Sequence, residues 1–329
     1  MGEAKHIKWQ DIIEVEENAD HASREKVIKA LAFIENSNEG QKLFAELKEA
    51  QAHIPDGQIW VKMEKVIFKN ATITTTDLNG NKITKPLPDS EKEVPELDLR
   101  KEQRKDSRMV IFGVKNSGNL TGAFSIFKAF AGGYESPASY DPDFHSIPIT
   151  FPNASNFKLP KIGKNGQLKY EQAPLEEIIS HELQHTVDII RKKFASGQDY
   201  SKECGEQRGV ERENAFLSSA MPQVHKRHLY VDADFTLNEL SKDSNFKDAL
   251  KKGGGISEVF SKLVGGIKLD AGCKGISDEE ATKQALALMK KYHIPTDKID
   301  PALLGGVQVP DKLPPPAKKP SSPNSPVRP

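Results

Sequence analysis

The stretch IISHELQHTVDII at residues 178–190 places two histidines four positions apart, with a glutamate directly after the first. In an α-helix, residues i and i+4 lie one turn apart on the same face, so His181 and His185 can direct ring nitrogens at one ion. Zinc accepts imidazole nitrogens at about 2.1 Å. Glu182 lies roughly 100° further around the helix, where its carboxylate can reach a water on the metal rather than the metal itself. The pattern therefore predicts a Zn2+ site with a general base beside it.

The residues around this pattern predict an amphipathic helix over 174–194. Pro174 is typical of a first helical turn, and the two glutamates after Leu175 are favourable at the positive end of the helix dipole. Gly197 is typical of a residue that follows the last turn of a helix. A histidine pair with only a surface or structural role is the alternative, but the capped amphipathic setting favours a metal site. The predicted core-facing stripe consists of Ile178, Ile179, Leu183, Val187 and Ile190.

A zinc site of this kind needs a third protein ligand and one open coordination position. The segment ECGEQRGVEREN at 203–214 supplies the candidates Glu203, Glu206, Glu211 and Glu213. A second helix predicted over 206–220 places Glu206 and Glu213 on one face, and Gly209 beside Glu206 allows a close approach to the first helix. This arrangement favours Glu206 as the ligand, while Glu211 and Glu213 remain alternatives.

Two further polar residues are expected to support the ligands. Asn214, together with Glu213, can hold the histidines by hydrogen bonds if Glu206 binds the metal. Asp188 lies on the ligand face of the first helix and is expected to orient a ligand rather than to bind zinc.

The N-terminal half predicts helices followed by strands. Residues 23–52 have apolar residues at helical spacing on both sides of the polar segment ENSNEG, which indicates two short helices. Residues 58–85 have β-type composition, with a hairpin turn at Asn79-Gly80. The charged stretch 89–108 is predicted to be a solvated connection, and MVIFGV at 109–114 a buried strand.

The segment SIPITF at 146–151 is predicted to be an edge strand, because Pro148 cannot donate a ladder hydrogen bond. A peptide substrate can add to such an edge through its backbone, although an ordinary edge strand is the alternative. Residues 235–306 are helical in pattern, with interruptions at Gly253-Gly254-Gly255 and Gly265-Gly266. The proline-rich segment from Val309 onward is too polar to pack and is predicted to be disordered.

The composition argues against a nucleic-acid-binding, membrane-spanning or disulfide-rich protein. The chain has 329 residues and a formal net charge of zero, which does not favour a nucleic-acid or membrane surface. No apolar run is long enough for a membrane span, and the N-terminus lacks the apolar core of a cleavable signal peptide. The two cysteines, Cys204 and Cys273, are typical of a reducing compartment or of indifference to disulfides.

The segments HELQH at 181–185, EQRGVEREN at 206–214 and RHLY at 227–230 together resemble one family. It comprises the HExxH zinc peptidases that bacterial secretion systems deliver, including those that clip host signalling kinases, and related domains of polymorphic toxins. The resemblance implies that His181, His185 and Glu206 bind zinc. It also implies that Glu182 is the general base and that Tyr230 donates to the developing oxyanion. The chain departs from the family at Gly209, where alanine is usual.

The resemblance implies an α+β, zincin-like metallopeptidase domain over residues 1–232, with its active-site helix beneath a small mixed sheet. A helical extension over 233–308 and a proline-rich tail over 309–329 would follow. We expect a zinc endopeptidase that cleaves a protein substrate, as a bacterial effector secreted into the host cytoplasm. The alternatives are a zinc hydrolase of a non-peptide amide and a non-catalytic adaptor that binds SH3-type partners through the tail.

Overall fold

The computed structural model describes residues 6–15, 21–54, 59–67, 72–76, 82–86, 93–103, 108–116, 146–151, 158–194, 201–251 and 255–307. Strands and helices mostly occur in separate runs along the chain rather than in alternation, so the expected α+β class is confirmed. The tail from residue 308 onward, with its predicted disorder and SH3-type motif, lies outside the described residues, as does Gly197.

The helices and strands are numbered separately in chain order. The helices are α1 His21–Glu35, α2 Asn38–Gln51, α3 Leu175–Phe194, α4 Lys202–Ala220, α5 Ala233–Leu240, α6 Ser244–Lys251, α7 Ile256–Ala271 and α8 Asp278–Lys291. The strands are β1 Ile13–Val15, β2 Ile59–Ile67, β3 Thr72–Thr76, β4 Lys82–Pro86, β5 Glu93–Gln103, β6 Met109–Asn116, β7 Ser146–Phe151, β8 Lys158–Ile162, β9 Leu168–Gln172 and β10 Lys226–Arg227. Among the described helices, none contains an apolar stretch of the length that a membrane span requires.

Parallel and antiparallel strand pairs lie in separate sheets. β1, β6 and β7 form a parallel sheet with β6 in the centre, and β10, β8 and β9 form an antiparallel sheet with β8 in the centre. The expected single mixed sheet is therefore not seen among the described strands. A tight turn joins β8 to β9 directly, whereas the parallel partners β1 and β6 are joined by a long connection that contains helices.

The strand predictions are confirmed with one exception. β3 pairs with β4 in antiparallel register as far as Thr76 and Lys82, although the turn at Asn79-Gly80 lies outside the described residues. The buried strand over 109–114 corresponds to β6, in which Ile111 is fully buried, and β7 lies at a sheet edge. The prediction of a solvated connection over 89–108 is wrong, because β5 occupies most of it and pairs antiparallel with β2. The paired residues of β2 and β5 lie between 26 (Ile67 and Glu93) and 44 (Ile59 and Gln103) positions apart, so a local pattern of charges does not indicate the pairing.

The helices bury two separate apolar cores. One core contains residues from α1, α2, α3 and α4 together with β1 and Ile111 of β6. The other consists of residues from α5 to α8 and the segment that follows them. The second core begins at Ala233, and the predicted boundary between a domain over 1–232 and a helical extension stays a prediction.

The helical pattern of the C-terminal region is confirmed, except at the second glycine pair. α7 continues through Gly265 and Gly266, which were predicted to interrupt it. A Cβ added to Gly266 would lie 3.2 Å from Cγ1 of Val231, so this glycine allows close packing rather than ending the helix. Burial of the apolar face of α7 against neighbouring helices offsets the low helix propensity of the two glycines.

Candidate metal centre

The helix α3 is built as its sequence predicts. It begins at Leu175, and the carbonyl of Pro174 accepts the N–H of Ile178 at 3.3 Å. All five residues of the predicted apolar stripe are buried in the first core. Because that stripe fixes the rotation of α3, its other side is presented to α4, against which it packs.

The helix α4 begins at Lys202, one turn earlier than predicted, because the side chain of Ser201 caps it by accepting the N–H of Cys204. A Cβ added to Gly209 would lie only 2.5 Å from Cε1 of His181. The missing side chain at Gly209 therefore lets the imidazole of His181 lie directly against α4. The predicted use of this glycine for close helix approach agrees with that geometry.

Three potential ligand atoms converge between the two helices. Oε2 of Glu206 lies 3.3 Å from Nε2 of His181 and 3.1 Å from Nε2 of His185. The ligand atoms of these three residues all lie within 4.8 Å of one another. Two atoms that each bind a tetrahedral zinc at 2.1 Å are separated by roughly 3.4 Å, so the spacing fits a shared ion.

The other carboxylates of α4 serve different contacts. Oε2 of Glu213 lies 2.8 Å from Nδ1 of His181, so this carboxylate can accept a hydrogen bond from Nδ1–H, which leaves Nε2 unprotonated and able to bind a metal. The carboxylate of Glu211 accepts a hydrogen bond from Gln207 on the exposed side of the helix. No hydrogen bond between the side chain of Asn214 and the histidines is seen in the described part of the chain. Instead this side chain exchanges two hydrogen bonds with the backbone of Arg227.

The electrostatics of this cluster favour a bound cation. Burial lowers the pKa of His181, but the charges and hydrogen bonds of Glu213 and Glu206 outweigh burial and raise it to about 10. Burial alone would raise the pKa of Glu206, whereas its hydrogen bonds to His181 and His185 hold that pKa far below its usual range. A site that attracts a proton so strongly also suits a metal cation, which would replace that proton on the imidazole nitrogens.

Glu182 and Tyr230 both lie near the convergent ligand atoms. Glu182 is buried, and its charge acts on both His181 and Tyr230. The ring of Tyr230 stacks on that of His181 with 6.0 Å between centroids, and the guanidinium of Arg227 lies 4.5 Å above the tyrosine ring. Burial, then the charge of Glu206, raises the pKa of Tyr230 well above its usual value. The phenol therefore stays protonated and able to donate a hydrogen bond.

A comparison with protein families matches residues 10–249 to the peptidase family M91, described as "Effector protein". The chain belongs to this family. The resemblance to secreted bacterial effector peptidases is therefore confirmed at the level of the family. Searches of curated proteins and of solved structures found no match to the M91 chain.

Next to the candidate ligand side chains, the M91 chain contains buried charges that the sequence did not predict. Lys161 of β8 forms an ion pair with Glu177 of α3, and both side chains are fully buried. Burial raises the pKa of Glu177 to about 7, and the nearby charge of Glu213 acts in the same direction. Nη1 of Arg227 lies 3.5 Å from Oε1 of Glu213. No sequence pattern indicates these buried charges, because a lysine in the polar strand KLPKI is typical of an exposed position.

Asp188 connects the two helices instead of orienting a histidine. Its oxygens accept hydrogen bonds from Gln184 at 3.0 Å and from Nε of Arg208 at 2.7 Å. Because Arg208 belongs to α4 and Asp188 to α3, this ion pair fixes the two helices relative to each other beside the site. The expected contact between Asp188 and a ligand is not among the hydrogen bonds described for it.

The two cysteines form a disulfide, a pairing that the sequence did not predict. Cys204 lies in the first turn of α4, and Cys273 lies in a short 3-10 turn directly after α7. They are separated by 69 residues in the sequence, a distance over which no local pattern indicates pairing. Two cysteines without a recognised spacing do not by themselves predict a bond.

Proposed function

We propose that this M91 effector is a zinc-dependent endopeptidase of zincin-like fold that hydrolyses a peptide bond in a host protein. Delivery into the host cytoplasm by a bacterial secretion system would bring it to that substrate. The observation that carries the proposal is the convergence of Nε2 of His181, Nε2 of His185 and Oε2 of Glu206, contributed by two packed helices. Two imidazoles and a carboxylate are a ligand set that catalytic zinc uses, with one position left open.

The residues around this ligand set have the chemistry that peptide hydrolysis needs. A zinc ion held by the three side chains would act as a Lewis acid and lower the pKa of a water molecule to about 7. Glu182 would accept the proton of the attacking water and later return it to the leaving amine. Tyr230, kept protonated by its surroundings, would donate a hydrogen bond to the oxyanion that develops on the scissile carbonyl.

Substrate binding along an edge strand stays a prediction. The edge strand β7 could accept a peptide through backbone hydrogen bonds. β7 belongs to the parallel sheet, whereas Lys161, whose side chain reaches α3, belongs to β8 of the antiparallel sheet. Among the described strands β9 lies at one edge of this antiparallel sheet, so it is a second candidate for the addition of a peptide.

Metal removal tests the proposed function directly. We expect the purified chain to contain one zinc ion and to generate new N-termini in host proteins of a cell lysate. Chelation should remove most of that cleavage, and added zinc should restore it, because the attacking water needs the metal. Metal analysis combined with proteomics of new N-termini provides the measurement. Unchanged cleavage by metal-free protein would contradict zinc dependence, and the absence of new N-termini with zinc-loaded protein would contradict a peptidase.

Replacing Gly209 with alanine is expected to weaken zinc binding by roughly 10–100-fold, because the new Cβ displaces the His181 ring. Gly265→Ala is a matched control, since this helical glycine has open space around the position of a Cβ. The control should keep its zinc affinity and gain about 0.5–1 kcal/mol in the free energy of unfolding. Zinc titration and urea unfolding measure both effects. Equal zinc affinities in the two variants would show that His181 tolerates the alanine.

A further inference from the structure

The beginning of α4 is tied to the C-terminal helical region at two adjacent points. Cys204 forms the disulfide with Cys273, and the backbone N–H of Cys273 donates to Oε1 of Gln207 at 2.8 Å. Cys204 and Gln207 lie three positions apart, so both attachments act on the first two turns of the helix. One is covalent and the other is a hydrogen bond.

The same two turns carry the proposed carboxylate ligand. Glu206 lies between Cys204 and Gln207 in the sequence and faces both histidines. A Cβ added to Gly205 would lie 3.8 Å from Nδ1 of His185, so this turn also contacts the second histidine. The turn therefore contacts the proposed metal site on one side and the C-terminal region on the other.

The fit between the 3-10 turn Gly272–Lys274 and Gln207 is close. Gly272 has a φ of +57°, and a Cβ added to it would lie 2.1 Å from Oε1 of Gln207. Only glycine combines this backbone conformation with room for the glutamine side chain. The 3-10 turn therefore packs against α4 in a way that depends on both Gly272 and Gln207.

A ligand in the first turns of a helix is vulnerable to fraying. The first four N–H groups of a helix have no partner within it, and in α4 the side chain of Ser201 accepts one of them, from Cys204. Metal binding requires ligands to be held within about 0.5 Å of their productive positions. An attachment that prevents fraying of this turn would therefore increase the share of molecules in which Glu206 faces the histidines.

We propose that the Cys204–Cys273 disulfide and Gln207 are positioning elements for Glu206, so that the redox state of the disulfide sets the zinc affinity of the site. This inference rests on the proposed function. Cys273 is exposed, so a small thiol reductant can reach the bond. Two glutathione molecules would reduce it in successive exchange steps, giving two cysteine thiols and one oxidised glutathione. The chain would then bind zinc more weakly once the disulfide is reduced, as in the host cytoplasm of the proposed function, than while the disulfide is intact.

The test compares zinc affinity of the full chain in its oxidised and reduced forms. A phosphine, tris(2-carboxyethyl)phosphine, reduces the disulfide to two thiols while water supplies the oxygen of the phosphine oxide and the two protons. Thiol counting by alkylation and mass spectrometry verifies the redox state. In competition with a chromogenic zinc chelator, the zinc affinity of the reduced chain should be roughly 10–100-fold weaker than that of the oxidised chain. Loss of a group that orients a metal ligand typically has an effect of this size. The double variant Cys204→Ser/Cys273→Ser should match the reduced wild type with or without phosphine.

A pair of glutamine variants tests the hydrogen-bonded attachment in the oxidised chain. Gln207→Ala removes the acceptor of the Cys273 N–H and should weaken zinc binding. Gln284→Ala is its matched control, because both glutamines also donate to a glutamate four residues away in a helix. The control is expected to leave zinc affinity unchanged.

The outcomes separate the inference from the proposed function. Equal zinc affinities of the oxidised and reduced wild type would overturn the inference while the metal site itself stands. No zinc binding by the oxidised wild type would instead refute the proposed function. If circular dichroism shows that the reduced chain unfolds, the glutamine pair decides, and equal affinities of Gln207→Ala and Gln284→Ala would overturn the inference.

Discussion

Replacing Glu182 with glutamine is expected to lower the rate at which new N-termini appear by about 10²–10⁴-fold, with zinc content unchanged. The amide has almost the same size and shape as the carboxylate, so packing in the buried position of Glu182 is preserved. It has no basic oxygen that can take a proton from water. Zinc should remain bound because the three convergent ligand atoms belong to other residues.

Glu176→Gln is the matched control for this experiment, since Glu176 lies on the same helix in its first turn. It should retain wild-type turnover and zinc content. A Glu182→Gln protein with undiminished turnover would show that another group is the base, and one that lost its zinc would show that Glu182 helps to hold the metal. An adaptor that acted through its proline-rich tail would give no new N-termini with wild type or variant.

Replacing Lys161 with methionine is expected to destabilise the chain by about 3–5 kcal/mol, because it leaves the carboxylate of Glu177 buried without its cation. Both side chains are fully buried, and Oε1 of Glu177 has no hydrogen-bond partner among the described residues. Urea unfolding at neutral pH measures the effect. The double variant Lys161→Met/Glu177→Leu should recover most of the loss, since an apolar pair of similar volume often replaces a buried ion pair without penalty. Equal destabilisation of the single and double variants would contradict this account.

The pH dependence of Lys161→Met provides a second test of the same ion pair. Burial raises the pKa of Glu177 in the folded wild type to about 7, above the ordinary value of 4.5, and the charge of Lys161 opposes that rise. A raised carboxyl pKa means that the folded state binds more protons, so stability falls as pH increases from 4.5 through the folded pKa. Without Lys161 the pKa rises further. The single variant should therefore regain part of its stability between neutral pH and about pH 5, whereas the double variant should show no such gain.

The local parts of the fold could be predicted because their patterns repeat over short distances. The apolar stripe of α3 fixes both its helical state and the face on which His181 and His185 lie. The turn signal Asn79-Gly80 predicted the pairing of β3 with β4, and Pro148 predicted the edge position of β7. β5 was missed because its partner β2 is distant in the chain. The prediction of a helix break at Gly265-Gly266 was wrong, because the low helix propensity of glycine has little influence once the apolar face of the helix is buried.

The sequence by itself determined that two imidazoles share one helical face with a glutamate beside them, because a spacing of four residues is fixed by the geometry of a single helix. It narrowed the third ligand to a few acids of one segment. Only the tertiary structure shows which of these acids lies beside the histidines, since Glu206 contacts them across separations of 21 and 25 residues that depend on how α3 and α4 pack. The Cys204–Cys273 disulfide and the buried Lys161–Glu177 pair were decided in the same way, because burial and contact between distant segments have no local signature in the chain.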